Sequence, residues 1–271
     1  MADNMHGKPK KSLGQNYLVT ASVAGKIVEA IDPGPEELVF EIGPGKGALT
    51  SRLSESGADL VAFEIDRALA DDLKGVFRDD KVEVVNEDVL KVDFEAEALR
   101  RKKGKYKVIG NIPYMLTSSI LIRIPAWKGC TLAVIMVQKE VAERVAAPAG
   151  DSNCGLLAVF LQSYLNVEKV LKVAAGSFYP RPGVDSAVLR FTRDRKERAP
   201  ENRELYFAFL KKAFSKRRKK LRNVLFRKKD SDRRERAERL EDLSGIDLGK
   251  RAEELSLDEW FCLFSSYLEI G

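Results

Sequence analysis

The stretch that decides the fold is VFEIGPGKGALTSRL, residues 39–53. A short run with strand character, VFEI, leads into three glycines, Gly43, Gly45 and Gly47, and the residues after them suit a helix. The stretch therefore predicts a strand, a tight glycine turn and a helix. Glycine lets the backbone turn sharply and approach a ligand closely, although such a turn can also be a simple connection. The rest of the sequence has to distinguish a ligand-binding turn from a simple connection.

Short runs of apolar and β-branched residues recur on both sides of this stretch. Five of them are 38–42, 60–65, 82–85, 106–109 and 132–137. The intervals between these runs can hold a returning helix, which predicts an α/β fold with a parallel sheet. Two later runs, 167–173 and 187–192, are separated by the turn-rich GSFYPRPGVDS, so we expect them to be antiparallel neighbours.

The composition changes after Thr192. A charged linker with Pro200 is followed from Leu205 by apolar residues at helical spacings. These residues are Phe207, Leu210, Phe214, Leu221 and Leu225. We therefore predict two domains, a first at residues 1–194 and an all-helical second at 195–271.

Composition and length exclude several classes of protein. The 271 residues are 44% hydrophobic, enough for a buried core, and no apolar run approaches the roughly 20 residues of a membrane span. The first residues contain no apolar signal-peptide core. We expect a cytoplasmic protein with no membrane association, and a monomer. A net charge of +6 is a weak indication of a polyanionic partner.

The chain offers no imidazole for catalysis. Its one histidine, His6, is near the N-terminus, and its three cysteines are far apart in the sequence. This argues against a Ser–His or Cys–His nucleophile and against a metal site. Any chemistry has to proceed without them.

Acidic residues follow the next two predicted strands. Glu64 lies 21 positions after Gly43, which is where a bound ribose is held, and Asp88 suits an adenine edge. The glycine spacing is G-x-G-x-G, without the third glycine position of dinucleotide-binding turns or the Lys-Ser/Thr of a P-loop. A nucleoside ligand without a pyrophosphate fits this pattern.

The sequence NIPY, residues 111–114, ends the fourth predicted strand, where ligands bind in α/β sheets. By itself it could be a proline turn with a packed tyrosine. An adenine amine is a poor nucleophile, and the Asn111 side-chain carbonyl and the Ile112 backbone carbonyl could accept its N–H bonds and free its lone pair. Pro113 would fix the backbone, and Tyr114 would stack on the base.

Seven motifs occur in order along essentially the whole chain. They are KSLGQNYL (11–18), EIGPGKGALT (41–50), EID (64–66), NED (86–88), NIPY (111–114), FYPRPGVDS (178–186) and SKRRKKLRNVL (215–225). Together they resemble the ribosomal RNA adenine dimethyltransferases. The resemblance implies a class I methyltransferase (Rossmann-like) fold, with a seven-stranded, mostly parallel sheet and a small C-terminal all-helical domain. It also implies S-adenosylmethionine as cofactor, bound by the first domain.

The resemblance assigns residues to the site. Cofactor-binding positions fall on Asn16, Leu18, Gly43, Gly45, Glu64, Asp88 and Asn111, and catalytic positions on Asn111, Ile112, Pro113, Tyr114 and Phe178. Residues 1–20 resemble a basic lid over the cofactor. Phe178 is either a hydrophobic cover or the second wall of a clamp on a flipped base. Three residues depart from the family pattern: Tyr17, Met115 and Arg181.

A basic run suggests the RNA contact. Eleven of the nineteen residues 211–229 are Lys or Arg, and none is acidic. Such runs are usually solvated faces, but on an amphipathic helix the charge would form a stripe for phosphates. The predicted RNA-binding residues are Lys216, Arg217, Arg218, Lys219, Lys220 and Arg222.

The implied activity is the dimethylation of two adjacent adenines near the 3′ end of 16S rRNA, in the 30S subunit or its precursor, with a role in small-subunit biogenesis. Two alternatives stay open: a 23S rRNA adenine dimethyltransferase, and a non-catalytic RNA-binding assembly factor. The basic run and the KSLGQNYL start favour the small-subunit branch. Intact Glu64, Asp88 and Asn111 argue against loss of activity.

Overall fold

The computed structural model describes residues 9–10, 13–193, 199–226 and 232–270. His6, the start of the predicted lid, and residues 227–229 of the basic run lie outside the described residues. No helix within the described ranges is both long enough and apolar enough to cross a membrane.

The bounds of the strands and helices are as follows. The strands are β1 Tyr17–Leu18, β2 Leu38–Ile42, β3 Asp59–Glu64, β4 Val82–Asn86, β5 Tyr106–Asn111, β6 Cys130–Gln138, β7 Leu165–Val173, β8 Phe178–Tyr179 and β9 Ser186–Arg193. The helices are α1 Ala21–Ile31, α2 Thr50–Ser54, α3 Arg67–Val76, α4 Phe94–Arg100, α5 Thr117–Leu121, α6 Lys139–Val145, α7 Leu156–Gln162, α8 Arg203–Ala213, α9 Leu221–Leu225, α10 Arg233–Ser244 and α11 Leu257–Glu269.

Seven strands form one sheet in the order β4-β3-β2-β5-β6-β9-β7. The pairs from β4 through β6 are parallel, and β9 runs antiparallel to β6. The predicted α/β class and the mostly parallel seven-stranded sheet are therefore confirmed. The carboxyl ends of the parallel strands share one edge of the sheet, and the antiparallel β9 begins at that same edge, because Ser186 pairs with Gln138 at the end of β6.

The central strands are largely buried. Every residue of β2 is buried, as expected for a strand covered by helices on both faces of a parallel sheet. Leu53, Leu60 and Ile109 belong to the core cluster that supports the cofactor edge. This packing fixes the strand ends from which the site residues project.

The chain divides into two compact units. One lies within residues 1–142 and 166–193, and the other within 143–165 and 194–271. The predicted first domain, residues 1–194, includes 143–165, whereas the structure groups this segment with the C-terminal helices. The physical reason is aromatic packing: Phe160 packs edge-on against Phe207, with ring centroids 4.9 Å apart, and the Tyr164 hydroxyl donates to the Pro200 carbonyl over 2.8 Å.

The apolar spacing predicts one continuous helix for the basic run, but the structure divides the run into separate elements. Helix α8 ends at Ala213, a 3₁₀ turn spans Phe214–Lys216, and α9 starts only at Leu221. The backbone N–H groups of Leu221 and Arg222 donate to carbonyls of the 248–250 segment, so tertiary hydrogen bonds fix the start of α9. Like charges along 216–220 also disfavour a helix.

Candidate active site

A cleft that is open to solvent lies at the carboxyl ends of the parallel strands. Its lining includes every predicted cofactor-binding residue and four of the five predicted catalytic residues. These are Asn16, Leu18, Gly43, Gly45, Glu64, Asp88, Asn111, Ile112, Pro113 and Tyr114. The motifs that are dispersed along the sequence therefore meet in one place.

The glycine turn closes directly onto Glu64, the acid at the end of β3. Gly43 and Gly45 have φ angles of 65° and 59°, in the left-handed region that favours glycine. The Gly45 N–H donates to Glu64 Oε2 over 3.1 Å. A Cβ atom on Gly45 would lie 3.1 Å from the Tyr17 ring, so a side chain at this position would collide with the ring that covers the turn.

Glu64 and Asp88 are held by backbone donors. Glu64 is 4% exposed, its Oε1 accepts from the Asp66 N–H over 2.9 Å, and burial raises the pKa of its carboxyl. Asp88 Oδ1 accepts from the Leu90 N–H over 3.0 Å. Each carboxylate keeps lone pairs for further donors, such as hydroxyl or amine groups of a ligand.

Glu41 is a site residue to which the sequence analysis gave no role. It is 1% exposed, lines the cleft, and its Oε2 has no hydrogen-bond partner within the described part of the chain. Burial raises the pKa of Glu41 to about 8. The signal in the sequence was an acid inside the otherwise apolar run that leads into the glycine turn.

The orientation of Asn111 is fixed by its neighbour. Asn111 Nδ2 donates to the Asn16 backbone carbonyl over 3.1 Å. Because a carbonyl can only accept, the nitrogen of the amide has to face Asn16, and Oδ1 stays available as an acceptor toward the cleft. Among the described residues, no hydrogen bond occupies the predicted polarising atom, Asn111 Oδ1.

The N-terminal strap, residues 13–18, crosses the cleft and is tied down at both ends. At one end, Gln15 Nε2 donates to Asp66 Oδ2 over 3.2 Å, and Lys10 Nζ lies 2.8 Å from Asp66 Oδ1. At the other end, β1 pairs antiparallel with β8, which follows the sheet unit's β7. The hydroxyl of Tyr17 donates to Gln15 Oε1 over 2.7 Å and so adds a hydrogen bond inside the strap.

The two predicted clamp aromatics have different surroundings. Tyr114 is half-buried and lines the cleft. Phe178 does not line the cleft: it is 4% exposed and packs with Leu18 in the core cluster, so the structure does not place it opposite Tyr114. The exposed aromatic of this loop is its neighbour Tyr179, 61% exposed. The hydrophobic-cover alternative for Phe178 agrees with this placement.

The predicted RNA-binding residues divide into two groups. Lys216, Arg218, Lys219 and Lys220 are exposed on the turn between α8 and α9, which we call the basic turn. Arg217 donates instead to the Ser152 and Cys154 carbonyls, and Arg222 lies 2.8 Å from Glu241 Oε1. Both arginines therefore make contacts within the helical unit, although Arg222 is itself 46% exposed, whereas the four exposed cations of the basic turn make no such side-chain contact with the described residues.

The cleft residues fit S-adenosylmethionine. Three carboxyl groups, Glu41, Glu64 and Asp88, suit a cationic ligand that carries ribose hydroxyls and an adenine amine. The unpartnered Glu41 Oε2 offers an acceptor to such a cation, and the bare glycine turn leaves room beside it. Across the described ranges, no cluster of three or more His, Cys, Asp or Glu side chains is arranged to hold a metal ion.

Comparisons with known proteins agree with this geometry. The family model described as "Ribosomal RNA adenine dimethylase" matches residues 6–269. "Ribosomal RNA small subunit methyltransferase A" of Geobacter metallireducens is 38% identical over 97% of each chain, and that of Acidobacterium capsulatum is 42% identical over 93% of this chain and 89% of its own.

Two solved structures are similar over almost the whole chain. A dimethyladenosine transferase from Plasmodium falciparum has a TM-score of 0.79 at 25% identity, covering 94% of this chain and 98% of its own. The 23S rRNA methyltransferase ErmE has a TM-score of 0.68 at 26% identity, covering 93% and 99%. With the family model matched from end to end and an open Asn111 acceptor in the cleft, the chain belongs to the ribosomal RNA adenine dimethylase family.

Proposed function

We propose that this protein transfers methyl groups from S-adenosylmethionine to the exocyclic amines of two adjacent adenines near the 3′ end of 16S rRNA. Its substrate is the 30S subunit or a precursor of it. The observation that carries the proposal is Asn111 Oδ1, left open as an acceptor beside the carboxyl-rich cleft. The relatives named small subunit methyltransferase A support the choice of 16S rRNA.

The chemistry follows from the acceptors in NIPY. The lone pair of an adenine amine is delocalised into the ring, so the amine is a weak nucleophile. Asn111 Oδ1 and the Ile112 backbone carbonyl accept its two N–H bonds and favour a more tetrahedral nitrogen with a localised lone pair. The bound cofactor supplies an activated methyl group. Pro113 fixes the backbone directly after the two acceptors, so positioning and polarisation suffice without an imidazole base, and the ammonium formed by methyl transfer loses its proton to solvent.

The target adenine has to leave its stack to reach these acceptors. Tyr114, half-buried in the cleft lining, provides a ring face on which the base stacks. The exposed cations of the basic turn contact phosphates, which position the RNA without specifying its sequence. Target choice then depends on RNA shape.

Two other functions compete with this one. The structural similarity to the 23S rRNA methyltransferase ErmE supports 23S rRNA as an alternative substrate. A non-catalytic assembly factor would use the same fold without transfer, but Glu64, Asp88 and Asn111 are all retained and all line the cleft. We place the protein in the cytoplasm, where it acts on assembling subunits, and a monomer stays a prediction that light scattering would test.

One experiment separates these functions. The protein is incubated with isotopically labelled S-adenosylmethionine and either under-methylated 30S subunits or 50S subunits, and the modified nucleotides are mapped by mass. Dimethylation of two adjacent adenines near the 3′ end of 16S rRNA is expected. Label in 23S rRNA would replace the proposal with the first alternative. Binding to 30S subunits without any transfer would support the second.

A further inference from the structure

The strongest unassigned contact at the edge of the cleft joins two hydroxyl groups. The Tyr114 hydroxyl lies 2.9 Å from Ser186 Oγ, which is hydrogen-bond distance. Tyr114 follows β5 and opens a 3₁₀ turn, whereas Ser186 is the first residue of β9. The contact therefore connects NIPY to a strand that is 72 positions away in the sequence.

Ser186 is a rigid anchor. It is 1% exposed, and its register partner is Gln138 at the end of β6. The neighbouring Asp185 is fixed as well: its carbonyl accepts from the Lys139 N–H over 3.0 Å, and its Oδ1 accepts from the Ala175 N–H over 2.9 Å. The position of Ser186 Oγ is therefore set by the sheet and by the start of the preceding loop.

The Tyr114 ring is consequently held at both of its ends. The backbone that carries the ring is anchored because β5 ends three positions earlier, where Asn111 pairs with Met136 in the sheet. The hydroxyl is fixed by Ser186. Phe178 is buried in the core, and the other two rings of the cleft lining, Tyr17 and Phe63, are only 5% and 2% exposed, so Tyr114 offers the most accessible ring face in the lining. The tilt of Tyr114 then decides whether a flipped base meets Asn111 Oδ1 at the right angle.

We propose that Ser186 is a positioning residue, which acts through the Tyr114 hydroxyl to preset the ring for stacking against the flipped adenine. This inference rests on the proposed function. A phenylalanine at position 114 would offer a similar ring face, but it would pivot about its side-chain torsions and would lose orientation entropy on stacking. The hydroxyl pair removes that freedom before the RNA arrives.

A double-mutant cycle tests the proposal. Ser186→Ala, Tyr114→Phe and the double variant are compared on under-methylated 30S subunits, with 2-aminopurine replacing one target adenine for the binding assay. Each single variant should lower the fluorescence rise on base flipping, and should lower kcat on unsubstituted subunits about two- to tenfold, the range for one hydrogen bond. The KM for S-adenosylmethionine should stay unchanged. The double variant should lose no more than either single one, and Ser186→Thr should recover most of the signal.

The chain contains a matched control. Ser163 is also fully buried and also lies beside a tyrosine hydroxyl, that of Tyr206 at 3.3 Å, but both residues belong to the helical unit. Ser163→Ala should leave the 2-aminopurine signal unchanged. If Ser186→Ala matches the parent in fluorescence and kcat, or if the two losses multiply in the double variant, the inference is wrong. Absence of transfer by the parent protein would instead refute the proposed function.

Discussion

The side-chain nitrogen of Asn111 donates to the backbone carbonyl of Asn16, 95 positions earlier in the chain. The amide to which we assign the polarising role is therefore oriented by the N-terminal strap rather than by its own strand. The strap and the preceding Lys10 are also hydrogen-bonded to Asp66. The shape of the cofactor cleft and the orientation of the Asn111 amide therefore depend on the same N-terminal segment. A change that loosens the strap is expected to reach the chemistry through Asn111.

Asn111→Ala should lower transfer by about 10²–10³-fold while cofactor binding largely survives. Loss of one preorganised group at a reacting centre costs about 10²–10³ in kcat. Cofactor binding should survive because Glu64 and Asp88 remain. Single-turnover transfer and equilibrium titration with S-adenosylmethionine measure the two effects separately. Asn153→Ala, in the exposed loop of the helical unit, serves as the control, and full activity of Asn111→Ala would refute the polarising role.

Glu41→Gln should stabilise the cofactor-free protein in a pH-dependent way. Because burial raises the pKa of Glu41 to about 8, the folded state keeps a proton that the unfolded chain releases above about pH 4.5. In the parent protein, the stabilisation from Glu41 is fully present below about pH 4.5 and is lost as the pH rises through 8. The gap between variant and parent should widen by up to about 1.4 kcal/mol per pH unit over this window, measured by urea unfolding.

Glu37→Gln should change the unfolding free energy with pH in the opposite direction, and so serves as a comparison for Glu41→Gln. The hydrogen bond from Lys107 lowers the pKa of Glu37, so its contribution is present above the unfolded value and is lost as the pH falls. This variant should therefore be less stable than the parent near pH 7 and equal to it at acidic pH. The side chain is 44% exposed, so the effect should stay below about 1 kcal/mol. Parallel pH trends for both variants would show that Glu41 is not protonated by burial.

Phe178→Ala and Tyr179→Ala should have different effects. Phe178 fills the core, so its truncation should cost about 3–5 kcal/mol of unfolding free energy. Tyr179 is mostly exposed, so its truncation should leave stability almost unchanged, and any stacking on RNA should appear as a loss of about 1–3 kcal/mol in binding. Thermal unfolding and 30S binding report the two quantities. Equal stability losses would contradict the burial difference.

Single Lys→Gln changes at Lys216 and Lys219 should each reduce the salt dependence of RNA binding. Each lost phosphate contact lowers the slope of log K against log salt by about 0.7–0.9. Arg217→Gln should instead destabilise the protein, because Arg217 holds the Ser152 and Cys154 carbonyls. Binding isotherms at several salt concentrations give the slopes, and an unchanged slope in both lysine variants would exclude the basic turn as the phosphate contact.

The sequence could predict those parts of the fold and site that depend on local patterns. Neighbouring residues in the sequence indicate the strand runs, the glycine turn and the acids at the ends of β3 and β4. The structure brings these features together at the carboxyl ends of the strands. Phe178 shows the limit. Successive side chains of an extended segment point to opposite faces, and the pairing of β8 with β1, 160 positions away, decides which of Phe178 and Tyr179 faces the core.

Non-local contacts also explain the difference in the helical unit. The apolar spacing of 207–225 fits one helix, but carbonyls at Leu248 and Lys250 accept from the first N–H groups of α9 and favour a separate start. Those acceptors are distant in the sequence and have no local signature. Ser186 was likewise hidden, because a serine at the start of a strand gives no indication that its hydroxyl meets a tyrosine from another motif.

The membership of residues 143–165 in the helical unit has a consequence for synthesis of the chain. Phe160 and Tyr164 are synthesised before the aromatic residues of α8 that pack against them. Until the chain has been extended past Phe207, this segment exposes apolar rings between two portions of the sheet unit. The sheet unit is therefore interrupted by an unfinished insert during translation, and a chain stopped at residue 194 would carry that insert without its core.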